Sequence, residues 1–160
     1  LRIEQHKKEP RFIFRLTSYH TDKLLPQVSR ALELRNEIVS RAKYPFLWKR
    51  KDKLKAKGKE RPARPSKSGA YDKAAGKLLK GKDELRAKDD IRILFYDEGM
   101  KTHASYIPFT EFYGAIETRD TIMLIYGPLV TLLQKHDLLE GDLGEFREML
   151  KDVLPKYVVL

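Results

Sequence analysis

From Arg11 the chain alternates between apolar and polar positions. Phe12, Phe14 and Leu16 fall on one side and Arg11, Arg15 and Thr17 on the other, with Ile13 the exception. A period of two carried by aromatic and branched residues predicts a strand over 11–17. The period then lengthens. Leu25, Val28, Leu32, Ile38, Val39 and Ala42 recur at helical spacing, opposite Arg30, Glu33, Glu37 and Arg41. This predicts a long amphipathic helix over about 22–43 with one solvated face. Thr21 or Asp22 stands where a cap is needed. Pro26 is tolerated only close to a helix start, so the regular helix is expected to begin near it.

Residues 44–48, Tyr-Pro-Phe-Leu-Trp, interrupt the pattern, because Pro45 disfavours helical geometry at Tyr44. Tyr44, Phe46, Leu47 and Trp48 are expected to wedge into the core, and replacing a buried Trp48 by Ala would cost roughly 3–5 kcal/mol. Apolar positions then nearly vanish. Residues 49–60 have helical character with Lys on nearly every turn. Residues 61–69, with two prolines and a glycine, read as turn or extended linker. Helical spacing returns at Tyr71, Ala74, Ala75, Leu78, Leu79 and Leu85, weakened by Gly76 and Gly81.

The last third reads as mixed. Residues 91–96 predict a strand, Asp97-Glu98-Gly99 a turn, and 102–107 a return strand completing a hairpin. Thr110 is placed to cap a short helix reaching Glu117. The fully apolar run 121–126 suits a buried strand or a helix. Gly127-Pro128 ends it, and Pro128 suits the first position of a helix over 128–139. Asp142 and Glu145 have the spacing of a capping box, and Leu143, Phe146, Leu150 and Val153 form the core face of a final helix.

Together these elements predict an α+β single domain. It would have the long N-terminal helix, a small largely antiparallel sheet from 11–17, 91–96 and a third strand, and two C-terminal helices. Its core would come from 9–48 and 89–160, with 49–88 as a projecting basic arm or helical hairpin. An all-helical fold is the alternative, since the candidate strands are short. A chain of 160 residues with 41% hydrophobic and 10% aromatic content suits one such domain. No run approaches a membrane span, and the N-terminal segment lacks the apolar stretch of a signal peptide. The absence of cysteine excludes disulfides, thiolate metal sites and a Cys nucleophile. A cytoplasmic protein, or a nuclear one in a eukaryote, is the expectation.

Charge changes the picture most. Residues 49–88 hold sixteen Lys and Arg against five Asp and Glu, a net of +11, while the whole chain is +10. Residues 1–48 are net +5 and residues 89–160 net −6. Such asymmetry predicts either a surface that attracts polyanions or a basic segment docked on its own acidic half. Lys and Arg clusters release counterions from phosphates, so nucleic acid, DNA or RNA, is the expected partner, with little sequence preference. The candidate contacts are Lys49, Arg50, Lys51, Lys53, Lys55, Lys57, Lys59, Arg61, Arg64, Lys67, Lys73, Lys77 and Lys80, with Trp48 and Tyr71 placed to stack on bases. A membrane partner is not expected, because 49–60 has almost no apolar face. A basic arm on a structural assembly subunit, of a virus or phage for example, is an alternative that brings in further protein subunits.

Catalytic patterns are thin. Gly69 to Lys77 departs from a phosphate-binding loop, with six residues between its glycines and Leu78 in place of Ser or Thr. Arg15 and His20 have the spacing of an Arg–His pair acting on a scissile phosphate. Asp89, Asp90, Asp97 and Glu98 gather around a candidate strand and offer oxygen ligands to a divalent cation. Either set would make the protein a nuclease. His6, His20, His103 and His136 are scattered, and no serine sits in a nucleophile elbow. Non-enzymatic binding without a cofactor is therefore the leading expectation.

Overall fold

The computed structural model of the chain describes residues 9–17, 21–58, 71–86 and 91–160, and of Thr21 and residues 81–86 the backbone alone. Strand β1 (Phe12–Arg15) is followed by helices α1 (Thr21–Lys43), α2 (Pro45–Ala56) and α3 (Asp72–Arg86). Strands β2 (Arg92–Phe95), β3 (Gly99–Lys101), β4 (Tyr106–Pro108), β5 (Phe112–Glu117), β6 (Thr121–Tyr126), β7 (Leu129–Gln134) and β8 (Leu138–Glu140) come next. Helix α4 (Leu143–Val153) and strand β9 (Tyr157–Val159) close the chain. The α+β class holds, and the all-helical alternative is excluded.

The strands form two sheets, in the orders β4-β3-β2-β1-β8 and β7-β6-β5-β9. Every pairing is antiparallel except that of β9 with β5. The second sheet explains the unbroken apolar run 121–126. Ile122 and Leu124 join a core with Phe12, Phe14, Phe95 and the α4 residues Phe146, Met149 and Leu150. Met123 and Ile125 point the other way, into a second core with Leu24, Val28, Ala31 and Ile38 of α1 and Ala75 and Leu79 of α3. A strand covered on both faces loses the usual alternation.

Several expectations fail for local reasons. The helix expected over 128–139 is absent, so one C-terminal helix stands in place of two. Tyr126 pairs with Leu129, leaving Gly127 and Pro128 as a two-residue hairpin loop. Gly127 has φ +55°, a conformation glycine reaches without strain, and this makes Gly-Pro a turn rather than a helix start. The chain then continues as β7, a 3₁₀ turn at Lys135–Asp137 and β8. The helix expected from Thr110 shrinks to a 3₁₀ turn at Phe109–Glu111, because the aromatic and branched residues of 112–117 pair with β6.

The return strand of the first hairpin is 99–101 rather than 102–107. Residues 102–105 turn instead, with the Thr102 hydroxyl accepting from the Ala104 and Ser105 N–H groups. Strand β9 went unread. It lies against β5 at Gly114, where a Cβ would come within 2.7 Å of the Lys156 carbonyl oxygen, so glycine permits the approach. Helix α1 begins at Thr21, ahead of Pro26, which loses one backbone bond near the start of a long helix. Helix α4 has the expected cap, Asp142 accepting from the Glu145 N–H at 3.0 Å.

The basic stretch is not one arm. Helix α3 turns Ala75 and Leu79 into the core, and Lys73, Lys77 and Lys80 lie on its exposed side. Helix α2 contains no buried residue. No described helix is long and apolar enough to cross a membrane.

Candidate nucleic-acid interface

Helix α2 starts where the sequence suggested a break. Tyr44 alone leaves helical geometry, at φ −129° and ψ 61°, and Pro45 supplies the first helical position with its fixed φ and missing donor. The segment 44–48 is thus the first turn of a helix and not a wedge. Tyr44, Phe46 and Leu47 are exposed, Phe46 to 86%.

Trp48 is half-buried on the surface. Its ring is flanked by the Arg41 guanidinium at 4.2 Å and the Lys51 ammonium at 4.8 Å, and its Nε1–H donates to Ser40 Oγ at 2.9 Å. The loss expected of a core Trp therefore does not apply to it, and its ring is already engaged by two cations. Arg41 also donates to Asp52 of α2 at 3.1 Å and to Glu37 at 3.1 Å, and the Asp52 hydrogen bond foremost pushes its pKa up. Arg41, Ser40, Trp48 and Asp52 hold α2 against α1. A helix of about three turns is marginal in isolation, so this contact is what orders it.

The remaining α2 charges face solvent. Lys49, Arg50, Lys51, Lys53, Lys55 and Lys57 are all exposed, and Lys53 and Lys55 sit in the last turn, where they complement the helix dipole. Lys59, Arg61, Arg64 and Lys67 lie outside the described residues. Tyr71 serves packing: its hydroxyl accepts from Asn36 Nδ2 at 3.1 Å, beside an Asp72–Ser29 hydrogen bond of 2.7 Å, and together these tie α3 to α1.

The acidic half of the chain is engaged elsewhere. Asp97 pairs with Arg11 at 3.2 Å, Asp120 with Gln27 at 2.7 Å, and Glu148 with Lys151 at 3.5 Å. The Gln27 hydrogen bond is the main reason the Asp120 carboxyl sits below its usual range. Glu117, buried on β5, accepts from Arg147 Nε at 2.6 Å and Nη2 at 2.9 Å, from Lys135 Nζ at 2.8 Å and from the Tyr157 hydroxyl. Burial alone would raise its pKa, but these donors prevail and hold it at about 2. Burial foremost, and then this hydrogen bond, push the Tyr157 hydroxyl well above its ordinary value. These acids are thus met by Arg11 and Gln27 of the N-terminal part and by Lys135, Arg147 and Lys151, while α2 leans on α1.

The catalytic candidates do not assemble. Arg15 ends β1 opposite Arg92, and His20 lies outside the described residues. Asp97 and Glu98 form the β2–β3 turn, and Asp89 and Asp90 lie outside the description. Among the described residues no group of His, Asp and Glu could hold a metal ion. A cavity of about 610 Å³ opens between the sheet ends, lined by Leu16, Ile91, Tyr126 and Leu129 with His103 and Glu111 among its polar lining residues. Thr102 and Ser105 line it as well, and the Thr102 hydroxyl is taken up by the 102–105 turn.

The sequence located the charge correctly but misjudged the aromatics beside it. The signal was Pro45 and, after Phe46, Leu47 and Trp48, a nearly continuous run of charge, which marks a helix start with almost no apolar face to bury. No family model, curated protein or solved structure matches the chain.

Proposed function

We propose that this protein binds nucleic acid, DNA or RNA, without catalysing a reaction. Its phosphate contacts are Lys49, Arg50, Lys51, Lys53 and Lys55 of α2, Lys57 at its C-terminal cap and the stretch that follows. One observation carries this reading: the helix bearing the charge buries none of its own residues, and Asp97 and Glu117 pair with Arg11, Lys135 and Arg147 rather than with the basic helix. Lys side chains dominate, and these flexible point charges suit phosphate oxygens more than base edges. The role is that of an accessory, packaging or assembly subunit in a nucleoprotein particle, acting in the cytoplasm or in a eukaryotic nucleus. Lys73, Lys77 and Lys80 on the outer side of α3 extend the same surface chemistry.

The test is purification at low salt. The expected outcome is a co-purifying polymer with a raised 260/280 nm absorbance ratio that nuclease treatment or high salt removes. Protein free of nucleic acid at low salt, with no affinity for added oligonucleotides, would overturn the proposal.

A further inference from the structure

Building on the nucleic-acid reading, we infer that α2 binds unpaired strands, with Phe46 as the platform on which a base stacks. Phe46 is the most exposed large apolar side chain among the described residues, at 86%, and Tyr44 beside it is exposed to 57%. Neither is spent on the fold. Trp48, the other aromatic nearby, already carries Arg41 and Lys51 over its ring and holds α2 to α1 through Ser40.

Helical geometry sets the register. Residues 46, 50, 53 and 57 follow at spacings of four, three and four, which places them along one side of a helix. A phenyl ring therefore heads a file of Arg50, Lys53 and Lys57, all exposed. Successive positions in the file rise by about 4.5–6 Å. An aromatic platform continued by cations is the arrangement that holds a single strand, bases on the ring and backbone along the charges. A duplex keeps its base faces stacked inside and offers the ring nothing.

The alternative polyanion, an anionic lipid surface, needs a helix with separate apolar and basic halves. In α2 the cations fall on two separate sides: Lys49, Arg50 and Lys53 lie on one and Lys51 and Lys55 on the other, with Leu47 and Leu54 between them and Trp48 and Asp52 turned toward α1. The mixture favours a flexible strand.

The experiment uses the full chain, a fluorescein-labelled 12-nucleotide RNA and its DNA counterpart, the matching duplexes, and phosphatidylserine vesicles. Phe46→Ala is expected to lower single-strand affinity by about 5- to 100-fold and to leave duplex affinity within about twofold. Because Phe46 is exposed, urea melts of the variant should overlay those of the parent. Phe46→Trp should retain binding, and its added fluorescence, read against the single native Trp48, should be quenched by the single strand. Equal affinity for single strand and duplex, both insensitive to Phe46→Ala, would overturn stacking while leaving charge-driven binding intact. Failure to bind any oligonucleotide would overturn both readings. Vesicle binding lost in Phe46→Ala, with oligonucleotide binding unchanged, would assign the surface to lipid.

Discussion

Replacing Glu117 by Ala is expected to destabilise the fold by about 3–5 kcal/mol. The carboxylate is 5% exposed and accepts from three side chains on three different elements: Arg147 of α4, Lys135 of the turn after β7, and Tyr157 of β9. Its removal leaves two cations and a hydroxyl facing a gap in a largely desolvated place. The parent should show the linked pH dependence. The folded pKa of about 2 lies below the ordinary 4.5. The contribution is therefore complete above pH 4.5 and is lost as pH falls toward 2, about 3 kcal/mol across that window. Glu117→Gln, which cannot ionise, should lack this component. Urea melts between pH 7 and pH 2.5 measure both effects. A Glu117→Ala loss below about 1 kcal/mol at pH 7 would show that the network contributes little.

Phe146→Ala should cost about as much, roughly 3–5 kcal/mol, for a different reason. The Phe146 ring is fully buried, with centroids 5.2, 4.9 and 4.8 Å from those of Phe12, Phe14 and Phe95. With Met149 and Leu150 it carries α4 into the first core. Removing it opens a cavity among three rings fixed on β1 and β2, which cannot collapse to fill it. The loss should appear as a lower urea midpoint with an unchanged slope, since the same surface is exposed on unfolding. A cost under about 1.5 kcal/mol would mean that α4 closes the gap by shifting. This variant and the Glu117 variants should leave oligonucleotide affinity unchanged wherever they remain folded.

Where one side of an element meets solvent, the sequence was readable. Helix α1 was legible by its period, with Val28 and Ile38 buried as expected, although the stripe is completed by Leu24 and Ala31 while Leu25, Leu32 and Val39 are half-buried and Ala42 is exposed; α4 shows both its Asp142 cap and its core face. Legibility failed where both faces are covered. Strands β5 to β7 carry little alternation because α1 and α3 cover one face of their sheet while the other sheet and α4 cover the opposite face. A period-two signal needs a wet side, and without one Gly127-Pro128 reads equally as a helix start. Strand β9 was hidden by its brevity and its parallel pairing with β5. At the candidate interface, the Lys and Arg run could be counted directly. The fate of Trp48 could not, because it depends on Arg41 and Ser40 one helix earlier.

Binding by α2 is tested most directly by the salt dependence of affinity for a single strand. If six cations of the helix neutralise phosphates, log K should fall with log salt at a slope near about −4. Substituting Lys49, Arg50, Lys53, Lys55 and Lys57 together by Gln, and keeping Lys51 for its contact with Trp48, should reduce the steepness of the slope by about 3.5. Thermal stability should scarcely move, since exposed charges contribute little. A slope unchanged by the five substitutions would show that α2 is not the contact surface.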